Sequence, residues 1–196
     1  MSARILSTLL ALLLAVSSSQ ADGMKYGVKV GLNLATVKVE KAPSWLDYGT
    51  KIGFGLGGYG VKEYSVPWGM RIELLYLQRG FTVTMSSFPD YTGTISYLTL
   101  PIFWTYGFSG SDMKPYLEFG PEVGFKLTAK GESNGKSGDM DGVSLLDYGI
   151  NLGVGLARGA VNADVRYYFG LANTNSEDDD KVNHRGFLFT LGYTFE

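Results

Sequence analysis

The feature that most constrains this chain is a period of two. From residue 24 onward apolar residues alternate with polar residues or glycine. Successive side chains of a strand point to opposite faces, so this is the strand period. Tyr26, Val28, Val30, Leu32 and Leu34 share one face of the first segment, against Lys25, Gly27, Lys29, Gly31 and Asn33. Ile52, Phe54 and Leu56 against Lys51, Gly53 and Gly55 open the second. There the Gly57-Gly58 step predicts a bulge. Met70, Ile72, Leu74 and Tyr76 oppose Arg71, Glu73 and Arg79 in the third, and Leu98, Leu100, Ile102, Trp104 and Tyr106 align in the fourth.

The second half alternates more cleanly. Leu117, Phe119, Pro121, Val123, Phe125 and Leu127 oppose Tyr116, Glu118, Gly120, Glu122, Gly124 and Lys126. Tyr148, Ile150, Leu152, Val154 and Leu156 oppose Asp147, Gly149, Asn151, Gly153 and Gly155. Val161, Ala163, Val165, Tyr167, Phe169 and Leu171 oppose Asn162, Asp164, Arg166 and Tyr168. The last segment sets Phe187, Phe189, Leu191, Tyr193 and Phe195 against Leu188, Thr190, Gly192 and Thr194. Eight strands of about ten residues follow, the length that crosses a tilted bilayer path.

The connections alternate as well. Those at Ser65-Val66-Pro67, Ser109 to Asp112 and Arg158-Gly159 are short, whereas 37–49, 82–93, 129–144 and 172–184 are long and polar. Short periplasmic turns with long extracellular loops form the bacterial outer-membrane pattern, and Greek-key sandwiches do not keep such alternation. The expected fold is therefore all-β: an eight-stranded antiparallel up-and-down transmembrane barrel. Composition agrees only once the faces are separated. A mean hydropathy of +0.03 excludes a multi-helix membrane protein but not a barrel that is apolar on one face. The near-even charge, −2 overall, excludes a basic nucleic-acid face. The absence of cysteine excludes disulfides, thiolate metal sites and a thiol nucleophile.

The start reads as an export signal. Arg4 precedes the 12-residue apolar stretch from Ile5 to Val16, and Ser19-Gln20-Ala21 offers small residues for signal peptidase. Residues 1–21 are expected to be cleaved and residues 22–196 to form the barrel domain. Loss of Arg4 takes the net charge from −2 to −3.

Alternation does not say which face is inside. Two further signals place the charges inward. Aromatics on the apolar face gather near strand ends: Tyr26, Trp68, Trp104, Tyr106 and Phe195 at the short-turn end, and Tyr76, Phe125 and Tyr148 nearer the long loops. Such rings form girdles at bilayer interfaces. The opposite face is rich in glycine, as an interior barely wide enough for side chains requires. Arg71, Glu73, Glu118, Glu122, Asp164 and Arg166 are then expected to form an interior charge network. Arg166 is expected to pair with Glu118 or Glu122, and Arg71 or Arg79 near Glu73, because buried charges must be compensated. The competing reading is that these carboxylates line an ion or proton path.

Several of these stretches resemble the PorT-like outer membrane protein β-barrel domain family. They are Gly31-Leu32-Asn33, Glu73 to Gly80, Tyr97-Leu98 with Leu100-Pro101, and Tyr116 to Pro121 with Gly124. They continue with Asp147-Tyr148-Gly149 plus Gly153 and Gly155, Asp164 to Tyr167 with Gly170-Leu171, and Gly192 to Phe195. Together they span nearly the whole mature chain in family order. The resemblance implies an integral outer-membrane barrel and leaves its activity unassigned; a few such members act in secretion. One departure is that Glu196, not an aromatic, ends the chain.

No catalytic, cofactor or metal site emerges from the motifs. His184, the single histidine, is read as a solvated loop residue, with no spacing that joins it to Ser144 or Ser176 as base and nucleophile. The acidic clusters Asp139 to Gly142 and Glu177 to Asp180 lack the calcium-loop pattern and read as solvated charge. Gly53 to Gly60 sits in a strand with no helix after it, which removes a phosphate loop. The loop aromatics Trp45, Tyr48, Phe88 and Tyr91 fit adhesion or loop packing equally. The expected function is a monomeric, non-enzymatic scaffold or interaction protein in the cell outer membrane. Its expected surroundings are outer-membrane lipid and lipopolysaccharide, with an unidentified protein partner and no nucleic acid. The alternatives are a small channel or secretion component, an outer-membrane enzyme, and a soluble ligand-binding barrel.

Overall fold

A computed structural model describes residues 23–39, 46–65, 67–85, 88–109, 112–173 and 182–195. The export signal at 1–21, Trp45, Ser176 and the Glu177 to Asp180 cluster lie outside these residues. The elements are β1 (Met24–Val39), β2 (Leu46–Ser65), β3 (Trp68–Met85), β4 (Phe88–Gly107), β5 (Lys114–Ser133), β6 (Lys136–Asp139), β7 (Leu146–Arg158), β8 (Val161–Gly170) and β9 (Val182–Thr194). The sheet runs β4-β3-β2-β1-β9-β8-β7-β5-β6, and a further β4–β5 pairing closes it. Eight antiparallel staves thus form a ring in which every spanning strand has two neighbours, leaving no open edge at membrane depth.

The four-residue β6 is not a ninth stave. It folds back on the outer end of β5, inside the connection expected at 129–144. Asn134 and Gly135 both take positive φ (51° and 71°), which is what a tight two-residue hairpin requires.

Two expectations are corrected. The strands are longer than about ten residues on one side: β2, β4 and β5 have 20, while β7, β8 and β9 have 13, 10 and 13. Within the polar stretch at 82–93, residues 82–85 and 88–93 are strand, with Thr82 opposite Thr92 and Val83 opposite Tyr91. Threonine and tyrosine favour strands even in water, so polarity hid the extension. The bulge also moves. The β1–β2 ladder runs unbroken from Met24↔Lys62 to Ala35↔Lys51, and the irregularities lie between Thr50 and Gly55 and between Glu63 and Ser65 in the β2–β3 ladder. Gly57 serves close approach instead, since a Cβ there would fall on the Leu74 carbonyl and on Leu75.

Burial decides the orientation of the faces. Val30, Leu32, Leu152 and Leu191 are each more than half exposed, whereas Lys29, Glu73, Glu118 and Arg166 are buried. A water-soluble barrel has the reverse arrangement. The soluble ligand-binding reading therefore fails, because no aqueous fold leaves such a band of aliphatic side chains uncovered.

The lumen and its two charge clusters as the candidate functional site

Small residues on β7 make space for large ones beside it. Gly153 stands opposite both Glu118 of β5 and Arg166 of β8, and Gly155 stands opposite Tyr116 and Asp164. A Cβ on Gly155 would collide with the Tyr116 ring. This is how an eight-stranded barrel accommodates long charged side chains in its interior.

The cluster nearer the short turns joins β1, β3, β5 and β8. Lys29 Nζ donates to Glu73 Oε1 and to Asp164 Oδ2, each at 2.7 Å. Arg71 Nη1 donates to Glu118 Oε2 at 2.9 Å and to the Tyr116 hydroxyl at 3.3 Å, and stands 3.7 Å from Asp164. Arg166 lies between three carboxylates: Glu73 at 2.9 Å, Asp164 at 3.3 Å and Glu118 at 3.7 Å. Its guanidinium also sits 4.7 Å from the centre of the buried Phe103 ring. Three cations meet three anions here, so the cluster is neutral within itself. Below it, Asn162 Nδ2 donates to the Tyr59 hydroxyl and that hydroxyl meets Thr194 Oγ1, both at 2.6 Å.

A buried apolar layer of Leu75, Leu77 and Leu188 follows. Above it lies the second cluster, on β3, β5, β7, β8 and β9. Arg79 pairs with both Asp147 and Glu122 and stacks 3.7 Å from the Tyr168 ring centre. Asn151 Nδ2 donates to Glu122 Oε2 at 2.8 Å, and the Tyr168 hydroxyl donates to Asp147 Oδ1 at 3.1 Å. His184 Nδ1 is 3.2 Å from Asp147 Oδ2. The space bordered by Asn33, Leu77, Arg79, Glu122 and Asn151 admits about one water molecule.

The lumen is capped at the long-loop end. Met140 and Val143 pack onto the buried Ile95, Tyr97 and Ala129. Met140 N donates to the Ala129 carbonyl at 3.0 Å, and Lys126 Nζ donates to the Val143 carbonyl. Beyond the lipid-facing band, partial burial pushes the Tyr91 hydroxyl above the usual phenol range.

The six charged residues singled out in the sequence are all buried, but they divide between two clusters. Arg71, Glu73, Glu118, Asp164 and Arg166 belong to the lower one, and Glu122 to the upper. Arg166 stands nearer Glu73 than Glu118, and Glu122 is bound by Arg79. Lys29, Asp147 and His184 complete the clusters and are missing from the expected network. Lys29 and Asp147 carry the same parity signal as the rest. His184 is a correction: it is buried within β9, not solvated in a loop. Because β9 begins at Val182, the inward parity of Gly186, Leu188 and Thr190 extends back to it. Asp139 and Asp141 are exposed, and no cluster of metal-ligating side chains occurs among the described residues.

Most of the expected girdle aromatics sit near strand ends, but Tyr76 lies in the middle of β3 and is buried, its hydroxyl 2.9 Å from Ser96 Oγ. Trp68 and Tyr106 meet edge to face at 5.0 Å, Trp104 stacks on Phe119 at 5.6 Å, and Tyr193 meets Phe195 at 6.0 Å. Tyr26 is half-buried at the same end, and Tyr148 is exposed at the other.

With this geometry in view, residues 17–176 match the family model described as the outer membrane protein beta-barrel domain. No curated protein sequence matches the chain. Among solved structures it is similar to the outer membrane protein OprG from Pseudomonas aeruginosa, with 15% identity over 88% of this chain and 94% of that one and a TM-score of 0.51. It is also similar to Neisserial surface protein A, with 15% identity over 89% and 100% of the two chains and a TM-score of 0.49. Ail of Yersinia pestis, solved with the heparin analogue sucrose octasulfate, shares 18% identity over 89% and 100%, with a TM-score of 0.47.

Proposed function

Because this chain belongs to the outer membrane protein β-barrel domain family and so resides in the outer membrane, its lumen is read as the inside of a membrane-embedded barrel, and we propose that the lumen is a structural plug. On this reading the protein is a non-conducting, non-enzymatic, monomeric scaffold. Its outer strand extensions, periplasmic turns or both meet a partner, with lipid and lipopolysaccharide around it. The observation that carries the reading is the filled interior: two ion-pair clusters, a leucine layer between them and an apolar cap above. A non-enzymatic role is supported by His184. Among the described residues its Nε2 has no hydrogen-bond partner, so none of their hydroxyls is held where a histidine base would activate it. We further place the chain in the PorT-like branch, on the ordered motifs from Gly31-Leu32-Asn33 to Gly192-Tyr193-Thr194-Phe195.

Planar-bilayer recording of the purified protein tests the plug. The expected trace is silent, and Glu118→Ala leaves no regular single-channel steps behind. Steady steps in the unaltered protein whose size changes in Glu118→Ala would overturn the plug in favour of a channel.

A further inference from the structure

The upper cluster has a feature that the plug does not explain. Arg79 is one cation facing two carboxylates, Glu122 and Asp147, whereas the lower cluster is balanced. The further ionisable side chain in contact with this pair is His184, buried with Nδ1 on Asp147. Among the described residues its Nε2 is buried with no hydrogen-bond partner, and so is the hydroxyl of Tyr97. The two rings meet edge to face at 5.8 Å, and Tyr97 carries the Met140–Val143 cap on its other contacts.

We propose that His184 and Asp147 form a proton-binding site in the outer lumen, and that proton uptake there latches the 140–143 cap. The neutral imidazole keeps its Nδ1 proton on Asp147, and the added proton goes to the vacant Nε2. The groups facing it are Asp147 from β7, Tyr97 from β4, and, through Asp147, Arg79 from β3 and Tyr168 from β8, with Glu122 of β5 beyond Arg79; Lys126 of β5, cross-strand from Tyr97, is turned onto the Val143 carbonyl of the cap. Val37 of β1 and Gly170 of β8 lie beside its backbone and bring no charge. With the proton on, two cations face two anions; without it, one faces two. Uncompensated charge in a dry interior is costly, and water is the available compensation. Water reaches the cluster when the cap lifts from Ile95, Tyr97 and Ala129. The protonated form is therefore the closed one. The cap is held while the imidazole carries the added proton and loosened when the proton leaves.

The chain has no cysteine, so Asp141→Cys, in the exposed middle of the cap, takes a single spin label. The experiment compares label mobility in lipid vesicles at about pH 5 and about pH 8, the two sides of histidine titration. The mobile-to-immobile ratio is expected to rise about fivefold or more toward high pH, the low end of coupling between linked sites. His184→Gln, which cannot take the proton, should flatten that response. Equal mobility at both pH values, or a pH response that survives in His184→Gln, overturns the proposal. If His184→Gln gives no heat-shifted folded band, the unaltered chain decides, because its one histidine gives an unambiguous imidazole signal. Its titration should move the Tyr97 and Val143 amide resonances with the same midpoint, and a titration that leaves them still overturns the latch. The proposal rests on the sealed-lumen reading, but conductance is recorded separately. Steady steps at acidic pH would defeat the plug while the label still judges the latch.

Discussion

The two charge clusters occupy one lumen and use the same chemistry, yet they are built differently. The lower cluster interlocks three cations with three anions, so each carboxylate has at least two positive neighbours. The upper cluster hangs on one arginine, with tyrosine, asparagine and histidine supplying the rest. Lower-cluster residues come from β1, β3, β5 and β8, so the network ties opposite walls across the barrel and fixes its cross-section. The difference suggests a division of labour: a saturated, permanently charged network holds the barrel closed, and a marginally balanced one can respond. Burial alone does not separate them, since both are withdrawn from water.

The largest test breaks the saturated side. Arg166→Met leaves Glu73, Glu118 and Asp164 facing only Lys29 and Arg71, an uncompensated charge in a dry interior. Urea unfolding in micelles should show a loss of about 3–5 kcal/mol, the usual cost of removing one partner from a buried network. A loss below about 1 kcal/mol, the scale of an exposed pair, would mean that water reaches this cluster and the lumen is not sealed there. Next in size is the layer that separates the clusters. Leu77→Ala removes a buried side chain packed with Leu75 and Leu188 and should cost about 2–4 kcal/mol by the cavity it leaves. If the leucines insulate the clusters, the same change should make the Arg166→Met and Glu122→Gln effects non-additive when combined. Simple additivity would show that the two networks were independent without the layer.

The contrast between the clusters was only half legible in the sequence. Parity placed Arg71, Glu118, Asp164 and Arg166 on one face because a strand's period of two survives any sheet curvature. Closure into eight staves followed from alternating loop lengths. What parity cannot give is height along the barrel. Arg166 and Glu122 share a face, but strand stagger puts Gly153 rather than Gly149 opposite Arg166, which separates the two residues into different layers. His184 was lost for another reason. Asn183, His184, Arg185 and Gly186 have loop-like composition, and only pairing with β1 through Val37 makes them strand. The 82–85 and 91–94 extensions were hidden in the same way, by polarity in a region where strands leave the lipid. The inward turn of Met140 and Val143 depends on the β6 hairpin and has no local signature beyond two apolar residues in a polar run.

The smallest expected effect sharpens the comparison most. Glu118→Gln and Glu122→Gln make the same chemical change at two buried sites, but the starting balances differ. In the lower cluster the substitution leaves three cations against two anions, so it should cost about as much as Arg166→Met, with reversed sign of the excess charge. In the upper cluster it leaves Arg79 against Asp147, a balanced pair, while the introduced amide oxygen can still accept from Asn151 or Arg79. Stability near neutral pH should then change by no more than about 1 kcal/mol, the net worth of a single hydrogen bond. The pH response should change more than the stability. With Glu122 neutralised, a proton on His184 creates an excess cation instead of cancelling an excess anion. The cap label at position 141 should therefore become more mobile toward acid, opposite to the parent. If Glu122→Gln keeps the parent's direction, charge balance does not set the sense of the response, and the imidazole would be acting through Tyr97 packing alone.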